Sequence, residues 1–289
     1  MLVRDSAAGS LEVCMVRRHI ESDFVGGAYV FPGGKVDDED RGELATDRCV
    51  GRTDLEASTL LGAERGGLAF WVAALRECFE EAGVLFCYEQ GAAPGAPLVD
   101  ATDPDVRKRL VAMRASLLAA GRDADFLAAC SGEGLCLAVD RVHYFSHWIT
   151  PEGAPKRFDT RFFVAALPPG QIPVHDDFET TDTVWVDPAD ALARAAAGEF
   201  DLIFPTMKNL EAISRFGTAA ELLDAALAIE KVPTVLPRVV VDERGFRILL
   251  PGDEGYDEAI APPEQRATTA AEVSEAIRSI GIDGRAERR

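Results

Sequence analysis

The feature that most constrains the fold is an amphipathic helix whose polar side carries a cluster of acidic residues. Between residues 68 and 82, large apolar side chains recur with the spacing of one helical face, at Leu68, Trp71, Val72, Leu75 and Phe79. Gly83 follows at the position where helices often end in a left-handed residue. The sequence therefore predicts a helix over 68–82 with one face in a hydrophobic core.

Three carboxylates and one guanidinium lie together on this helix. At 100° per residue, Glu77 and Glu81 lie one above the other, and Glu80 lies beside them. Arg76 precedes Glu80 by four residues, so a solvated acidic face with an Arg76–Glu80 ion pair is one interpretation. The other is a cation site, because carboxylate oxygens suit Mg²⁺ or Mn²⁺, which complete their coordination with water and substrate phosphates.

Composition restricts the partners. The 289-residue chain is 47% hydrophobic and can bury a sizeable core, and its formal net charge of -19 opposes binding to a phosphate backbone. Nucleic acid is therefore not an expected partner. No apolar run approaches the roughly 18 to 20 residues of a membrane span, and the first residues do not resemble a signal peptide. We expect a cytoplasmic protein without a membrane partner, whose six cysteines are reduced.

The rest of the chain mixes strand and helix patterns. Runs rich in β-branched and aromatic residues predict strands at 11–18, 27–34, on both sides of a Pro/Gly turn within 141–168, and at 180–188. Helical patterns cover 103–121, 123–130, 188–199, 205–217 and 218–230, and a further helix is suggested at 270–279. A hairpin is expected over 238–252 with its turn at 243–245. This pattern indicates an α/β protein.

Two segments exceed what a small α/β core needs. Residues 35–67 are polar and acidic and are predicted to form an insertion loop with short helical turns near 55–61. The helices between 103 and 130 resemble an inserted lid or a dimer surface. Because their apolar residues and those of the tail after 233 must be covered, we expect a homodimer.

The acidic helix carries a resemblance to a known family. The stretch RECFEEAG at 76–83, followed by Val84, resembles the second half of the Nudix box, and FPGGKVDDED at 31–40 resembles its first half. Two departures stand out: Asp40 replaces the glutamate of the first half, and residues 41–75 separate the halves where the family has a much shorter spacer. An insertion inside the box resembles the branch that includes peroxisomal coenzyme A diphosphatases.

The resemblance implies a Nudix fold, a mixed β-sheet sandwiched between α-helices. Here it would carry helical insertions and a C-terminal extension. The implied domain covers residues 1–232, with insertions at about 41–67 and 91–135. Residues 233–289 would form the extension, which contains the predicted hairpin.

The resemblance also implies roles for the residues of the box. Glu77 and Glu81 would be the main ligands of Mg²⁺ or Mn²⁺, with Glu80 assisting and the Gly33 carbonyl as a backbone ligand. Arg76 would orient the glutamates. Such a site hydrolyses a pyrophosphate by water attack and needs no covalent nucleophile.

Residues outside the helix complete the implied site. Family members often take a general base from a loop acid, and Glu179 is the candidate here, with Asp176, Asp177 and Asp182 as alternatives. Substrate contacts are expected from Arg18, Gly33, Gly34 and Lys35.

The expected partner is a small nucleotide whose diphosphate carries another group. Arg18 and Gly27 fit the upstream signature of Nudix coenzyme A hydrolases, whereas His19 and Asp23 replace its Ser and second Arg. Coenzyme A or acyl-coenzyme A is the expected substrate, and ADP-ribose, NADH and other dinucleotides stay open. A Nudix fold kept as a non-catalytic binding or regulatory module is the alternative of another class.

Overall fold

The structure is a computed structural model that describes residues 1–260 except 22–25, 122–123, 155 and 243–244. The helices in this part of the chain are α1 Glu43–Arg48, α2 Asp54–Leu61, α3 Leu68–Ala82, α4 Pro104–Ala120, α5 Phe126–Gly132, α6 Pro188–Ala196, α7 Phe204–Ile213 and α8 Ala219–Leu227. The strands are β1 Leu2–Asp5, β2 Leu11–Arg18, β3 Tyr29–Val30, β4 Cys49–Val50, β5 Cys87–Glu89, β6 Leu135–Ala138, β7 His143–Ile149, β8 Asp159–Ala166, β9 Thr180–Val186, β10 Thr234–Val235, β11 Arg238–Asp242 and β12 Gly245–Leu249.

A seven-stranded mixed sheet organises the fold. Strand β2 pairs antiparallel with β1, β3 and β9, while β1 runs parallel to β8. Strand β8 is antiparallel to β7, and β7 is parallel to β10 at the edge. The strands predicted at 11–18, around the Pro/Gly turn and at 180–188 are therefore confirmed.

Alternating residues of the sheet face two separate cores. Val13 and Met15 of β2 are fully buried in one core, together with Leu210 of α7. Cys14, between them in sequence, belongs to the other core, together with Trp71 of α3. Helices therefore cover both faces of the sheet, which confirms the predicted α/β sandwich. The burial of each large apolar side chain contributes about 1.5–3 kcal/mol to this arrangement.

Helix α3 has the predicted bounds and lies on one face of the sheet. Its apolar stripe is buried, and Gly83 ends it with a left-handed φ of 69°. The Trp71 indole N–H donates to the Val142 carbonyl at 2.8 Å, and its ring lies 4.8 Å from that of Phe163 on β8. These contacts hold the helix that carries the acidic cluster at a defined position on the sheet.

The segment 35–67 is more regular than the predicted insertion loop, and the helical turns expected near 55–61 are confirmed as α2. It contains a 3₁₀ turn at Glu39–Arg41, helices α1 and α2, and the short strand β4. Thr53 and Glu56 form a capping box at the start of α2, which is a local sequence signal for a helix start. Asp54 accepts hydrogen bonds from the backbone N–H groups of Gly66 and Leu68, which joins this segment to the first turn of α3.

The helices between 103 and 130 do not form a lid. The helix predicted over 103–121 is confirmed as α4, which Asp103 caps, but α5 begins at Phe126 with Asp125 as its cap, and Asp123 lies outside the described residues. The buried side chains of both helices, Leu110, Met113, Leu117, Phe126 and Leu127, belong to the core that contains α3. Because the chain itself covers them, these helices give no reason for a dimer, and the homodimer stays a prediction.

Several short elements differ from the sequence-based expectations. The strand expected over 27–34 is reduced to β3, and β1, β5 and β6 were not predicted. Strands β4, β6 and β5 form a second, three-stranded sheet. The hairpin of β11 and β12 is confirmed, although part of its turn and the helix suggested at 270–279 lie outside the described residues. Within the described ranges, no helix is both long and apolar enough to cross a membrane.

Candidate active site

The Gly33–Gly34 turn lies directly against the acidic face of α3. The backbone N–H of Gly33 donates to Glu81 Oε2 at 2.8 Å. A Cβ placed on Gly34 would lie 2.3–2.6 Å from the carboxylate of Glu77, closer than real Cβ atoms come to other atoms. Only glycine therefore fits at position 34 with the Glu77 side chain in this place, and the two halves of the box meet in space.

Asp40 holds Arg76 in place. Its two carboxylate oxygens accept hydrogen bonds from Arg76 Nε and Nη2, both at 3.0 Å, and Oδ2 also accepts from the Asp37 N–H at 2.9 Å. The Asp40 side chain is only 2% exposed. The two-point contact fixes the plane of the guanidinium as well as its position.

Arg76 in turn contacts the carboxylates of its own helix. Its Nη1 donates to Glu77 at 3.0 Å and to Glu80 at 3.2 Å, and Nη2 donates to the Lys35 carbonyl at 2.9 Å. Burial opposes the charged form of Arg76, but the hydrogen bonds that Arg76 donates to Asp40 and the negative charges of the nearby carboxylates outweigh it and raise the Arg76 pKa. The guanidinium stays charged and links both halves of the box.

The glutamates keep raised pKa values in spite of this arginine. Burial, reinforced by the charge of Glu80, raises the pKa of Glu77 to about 7, although Arg76 opposes the shift. Burial also raises the pKa of Glu81 to about 8; the hydrogen bond from Gly33 lowers this pKa, and the charge of Glu77 raises it further. Burial is also the main cause that raises the pKa of Glu80. In the metal-free protein, all three carboxyl groups are therefore harder to ionise than a free glutamate.

The residues present fit a divalent cation by their chemistry. Among the described residues, no three His, Cys, Asp or Glu side chains already surround a common point as metal ligands do. The donor set is nevertheless made of carboxylate oxygens beside a glycine turn, which is the type that Mg²⁺ and Mn²⁺ prefer. A cation would also relieve the cost of burying Glu77 and Glu81, the cost that raises their pKa values.

Glu179 lies close enough to act on the cluster. Its negative charge raises the pKa values of Glu77, Glu80 and Glu81, and its own side chain is exposed. In the part of the chain that the structure describes, the Glu179 carboxylate makes no hydrogen bond or ion pair.

The competing acids of the same loop have other contacts. One oxygen of Asp176 accepts backbone hydrogen bonds from Phe178, Glu179 and Thr180, and Asp177 pairs with His175 at 3.1 Å. Asp182 accepts from the Tyr29 hydroxyl at 3.0 Å. Glu179 is therefore the best placed of the four candidates.

Two of the remaining predicted contacts, Arg18 and Lys35, lie near α3. Arg18 ends β2, and its charge lowers the pKa of Glu81. Lys35 is exposed and follows the glycine turn. Asp23, which departs from the coenzyme A signature, lies outside the described residues.

Two contacts of the acidic helix were not expected from the sequence. Arg114 of α4 donates from Nε and Nη2 to the Glu80 carbonyl, at 3.1 and 2.7 Å. The Thr180 hydroxyl donates to the Glu81 carbonyl at 3.4 Å. Both satisfy carbonyls in the last turn of α3. No local pattern could reveal them, since the partners are 34 and 99 residues apart.

The family follows from comparison with known proteins. Residues 54–213, more than half of the chain, match the model of the NUDT19 Nudix domain. The chain belongs to this family. The resemblance drawn from the two halves of the box, including the long-insert branch, is thereby confirmed.

Relatives of this Nudix domain align with most of the length of this chain. Proteins named acyl-coenzyme A diphosphatase NUDT19 are 29% identical in Homo sapiens, over 88% of this chain and 74% of the relative, and 29% identical in Gallus gallus, over 86% and 73%. The crystal structure of a Nudix hydrolase from Alicyclobacillus acidocaldarius superposes with a TM-score of 0.60 at 28% identity. It covers 80% of this chain and 94% of its own.

Proposed function

We propose that this Nudix protein hydrolyses the pyrophosphate bond of coenzyme A or acyl-coenzyme A with the help of Mg²⁺ or Mn²⁺. The observation that carries the proposal is the cluster of buried Glu81 and partly buried Glu77 and Glu80 around Arg76, in a chain whose relatives are named acyl-coenzyme A diphosphatases. A bound divalent cation would neutralise the pyrophosphate and polarise the phosphorus that is attacked.

The protein's own residues prepare this site. Asp40 fixes the guanidinium of Arg76, which restrains the carboxylates of Glu77 and Glu80. The Gly33 N–H restrains Glu81 from the opposite side. Glu77, Glu80, Glu81 and the Gly33 carbonyl are the proposed cation ligands. Preorganisation of this kind lowers the barrier because the charges need not reorient during the reaction.

Glu179 is the proposed general base. Its carboxylate would take a proton from the water whose oxygen forms a new bond to phosphorus, and the bond from that phosphorus to the bridging oxygen would break. The absence of a competing hydrogen bond or ion pair on its side chain, among the described residues, supports this role. Its charge already acts on all three helix glutamates.

Substrate contacts are proposed at the end of β2 and at the glycine turn. Arg18 supplies positive charge near Glu81, and Lys35, whose carbonyl accepts from Arg76, is the proposed second cation for the phosphates of a nucleotide. Gly33 and Gly34 let the backbone approach closely, as the Gly34–Glu77 contact illustrates.

The domain boundaries are part of the same proposal. We propose a Nudix hydrolase domain at 1–232, with insertions at about 41–67 and 91–135, and an extension at 233–289. Strand β10 lies just inside that extension and pairs with β7, so the extension begins on the main sheet of the domain. A homodimer is kept as a proposal that light scattering can test.

The carboxylates provide the test. In Glu77→Gln and Glu81→Gln, cation-dependent hydrolysis of coenzyme A should fall by about 100-fold or more, while the far-ultraviolet circular dichroism stays unchanged. The matched control is Glu64→Gln, an exposed glutamate away from the cluster, which should keep normal turnover. Near-normal turnover in either cluster variant would refute the ligand assignment. Binding of coenzyme A without any turnover in the unaltered protein would favour the non-catalytic module.

A further inference from the structure

Large apolar side chains are exposed beside the acidic cluster. The described residues include nine strongly exposed large apolar side chains: Ile20, Leu44, Leu55, Leu60, Val111, Ile172, Val174, Phe178 and Leu227. Four of them lie on two short segments, 18–20 and 172–180. Ile20 is 71% exposed and Phe178 is 75% exposed. Single exposed apolar residues are common, but a group next to a polar site indicates a ligand surface.

The two segments are hydrogen-bonded to each other. Arg18 of β2 lies opposite Thr180 of β9, and the His19 N–H donates to the Glu179 carbonyl at 2.8 Å. Ile20 follows His19 and Phe178 precedes Glu179, so the same antiparallel register, continued by one position, would bring Ile20 and Phe178 opposite each other. We call these two residues the apolar rim.

The segment that carries Phe178 adjoins α3. The Thr180 hydroxyl donates to the Glu81 carbonyl at 3.4 Å, and the Val174 N–H donates to the Ala82 carbonyl at 2.9 Å. The segment 174–180 therefore runs along the last turn of α3. Phe178 is next in sequence to Glu179, the proposed base, and Ile20 lies two residues after Arg18; the charges of Glu179 and Arg18 both act on Glu81. These neighbours place the rim near the edge of the proposed pyrophosphate site.

The chemistry of the possible substrates differs at this edge. In coenzyme A, the pyrophosphate is followed by a methylene and a carbon that carries two methyl groups. In ADP-ribose and NADH, the same position carries a ribose with hydroxyl groups. The thiol or acyl end of coenzyme A lies far along the pantetheine arm, beyond the reach of side chains beside the pyrophosphate.

We propose that the apolar rim of Ile20 and Phe178 binds the dimethyl carbon of the pantetheine arm and so selects coenzyme A over nucleotides with a ribose there. This inference rests on the proposed function and names the residues that give that function its substrate preference. Two methyl groups removed from water favour coenzyme A, whereas hydroxyl groups against the same surface gain no hydrogen bonds.

The test compares substrates in full-length variants with Mg²⁺. In Phe178→Ser and Ile20→Ser, kcat/KM for coenzyme A should fall by about tenfold, since about two methyl contacts are lost, while kcat/KM for ADP-ribose stays within about twofold. Phe178→Leu should retain most of the preference. The control is Leu227→Ser, an equally exposed apolar residue at the end of α8, which should change neither value.

Other outcomes separate this inference from the proposed function. Equal losses for coenzyme A and ADP-ribose, or no loss for either, would overturn the rim assignment and leave coenzyme A hydrolysis standing. A loss confined to long-chain acyl-coenzyme A would place the acyl chain at the rim and overturn the assignment to the dimethyl carbon. If the unaltered protein prefers ADP-ribose, the proposed substrate is wrong, and so is the ligand assigned to the rim.

Discussion

Replacing Asp40 with asparagine removes a buried negative charge that Arg76 contacts twice. The change keeps the shape of the side chain, but an amide N–H₂ then faces one of the guanidinium donors at 3.0 Å. One of the two hydrogen bonds is lost and the other is no longer charged on both sides. Arg76 would also lose the contact that fixes its plane.

The size of the effect follows from the remaining partners. Breaking a buried ion pair costs about 3–5 kcal/mol when the surviving charge is left alone. Arg76 is not left alone, because Glu77, Glu80 and Asp37 lie 3.0, 3.2 and 3.2 Å away. We therefore expect Asp40→Asn to lower the free energy of unfolding by about 3 kcal/mol, the low end of that range.

Urea unfolding followed by circular dichroism measures this difference. The matched control is Asp38→Asn, which alters an exposed carboxylate two residues away and should change the free energy of unfolding by less than about 0.5 kcal/mol. A loss below about 1 kcal/mol in Asp40→Asn would refute the claim that this carboxylate holds the arginine. Hydrolysis should also fall in this variant, since Arg76 no longer restrains Glu77 and Glu80.

Three further predictions concern the same site. Gly34→Ala places a methyl group against the Glu77 carboxylate and should lower kcat/KM by about tenfold or more. The control is Gly132→Ala, whose added carbon has nothing within 4 Å and should leave kcat/KM unchanged. Equal kcat/KM in the two variants would show that the glycine turn can move to accommodate the methyl group. Glu179→Gln should lower kcat by about 100-fold with little change in KM, and stopped assays at saturating substrate would show it. In metal-free protein, the folded-state pKa values of Glu77 and Glu81, about 7 and 8, exceed the ordinary 4.5. The folded state then holds more protons than the unfolded state, so the free energy of unfolding should fall by more than about 2 kcal/mol between pH 5 and pH 8. Added Mg²⁺ should remove most of that fall, and a flat profile without metal would contradict the raised pKa values.

Some parts of the fold could be predicted because their causes are local. The bounds of α3 follow from a buried stripe and from Gly83, both of which depend on neighbouring residues. The Asp103 cap of α4 is local in the same way. The capping box of Thr53 and Glu56 is equally local and marks the start of the helix expected near 55–61, whereas α1 and β4 in the same segment were not predicted.

Other parts depend on residues that are distant in sequence. The short strands β5 and β6 pair with each other although more than forty residues separate them in sequence. Each strand has only three or four residues, which is too short a segment to specify that pairing. The predicted lid failed for a similar reason, because the partners of Leu110 and Met113 belong to α3 and its neighbours.

The site shows the same division. The Nudix box located Arg76 and the three glutamates, since their spacing on one helix is a local property. The role of Asp40 as the partner of Arg76, and that of Arg114 at the end of α3, required the three-dimensional arrangement. The roles of Glu179 and of the cation ligands stay predictions until they are measured.

The products of acyl-coenzyme A hydrolysis test the proposed function most directly. The unaltered protein is incubated with acyl-coenzyme A and Mg²⁺ in ¹⁸O-labelled water, and the products are identified by mass spectrometry. We expect 3′,5′-ADP and an acyl-phosphopantetheine with an intact thioester. One of these two products should carry one ¹⁸O, in the phosphate formed by cleavage of the pyrophosphate. Release of the free fatty acid with intact coenzyme A, or no turnover of a cation-loaded protein, would contradict a pyrophosphate hydrolase built on Glu77, Glu80 and Glu81.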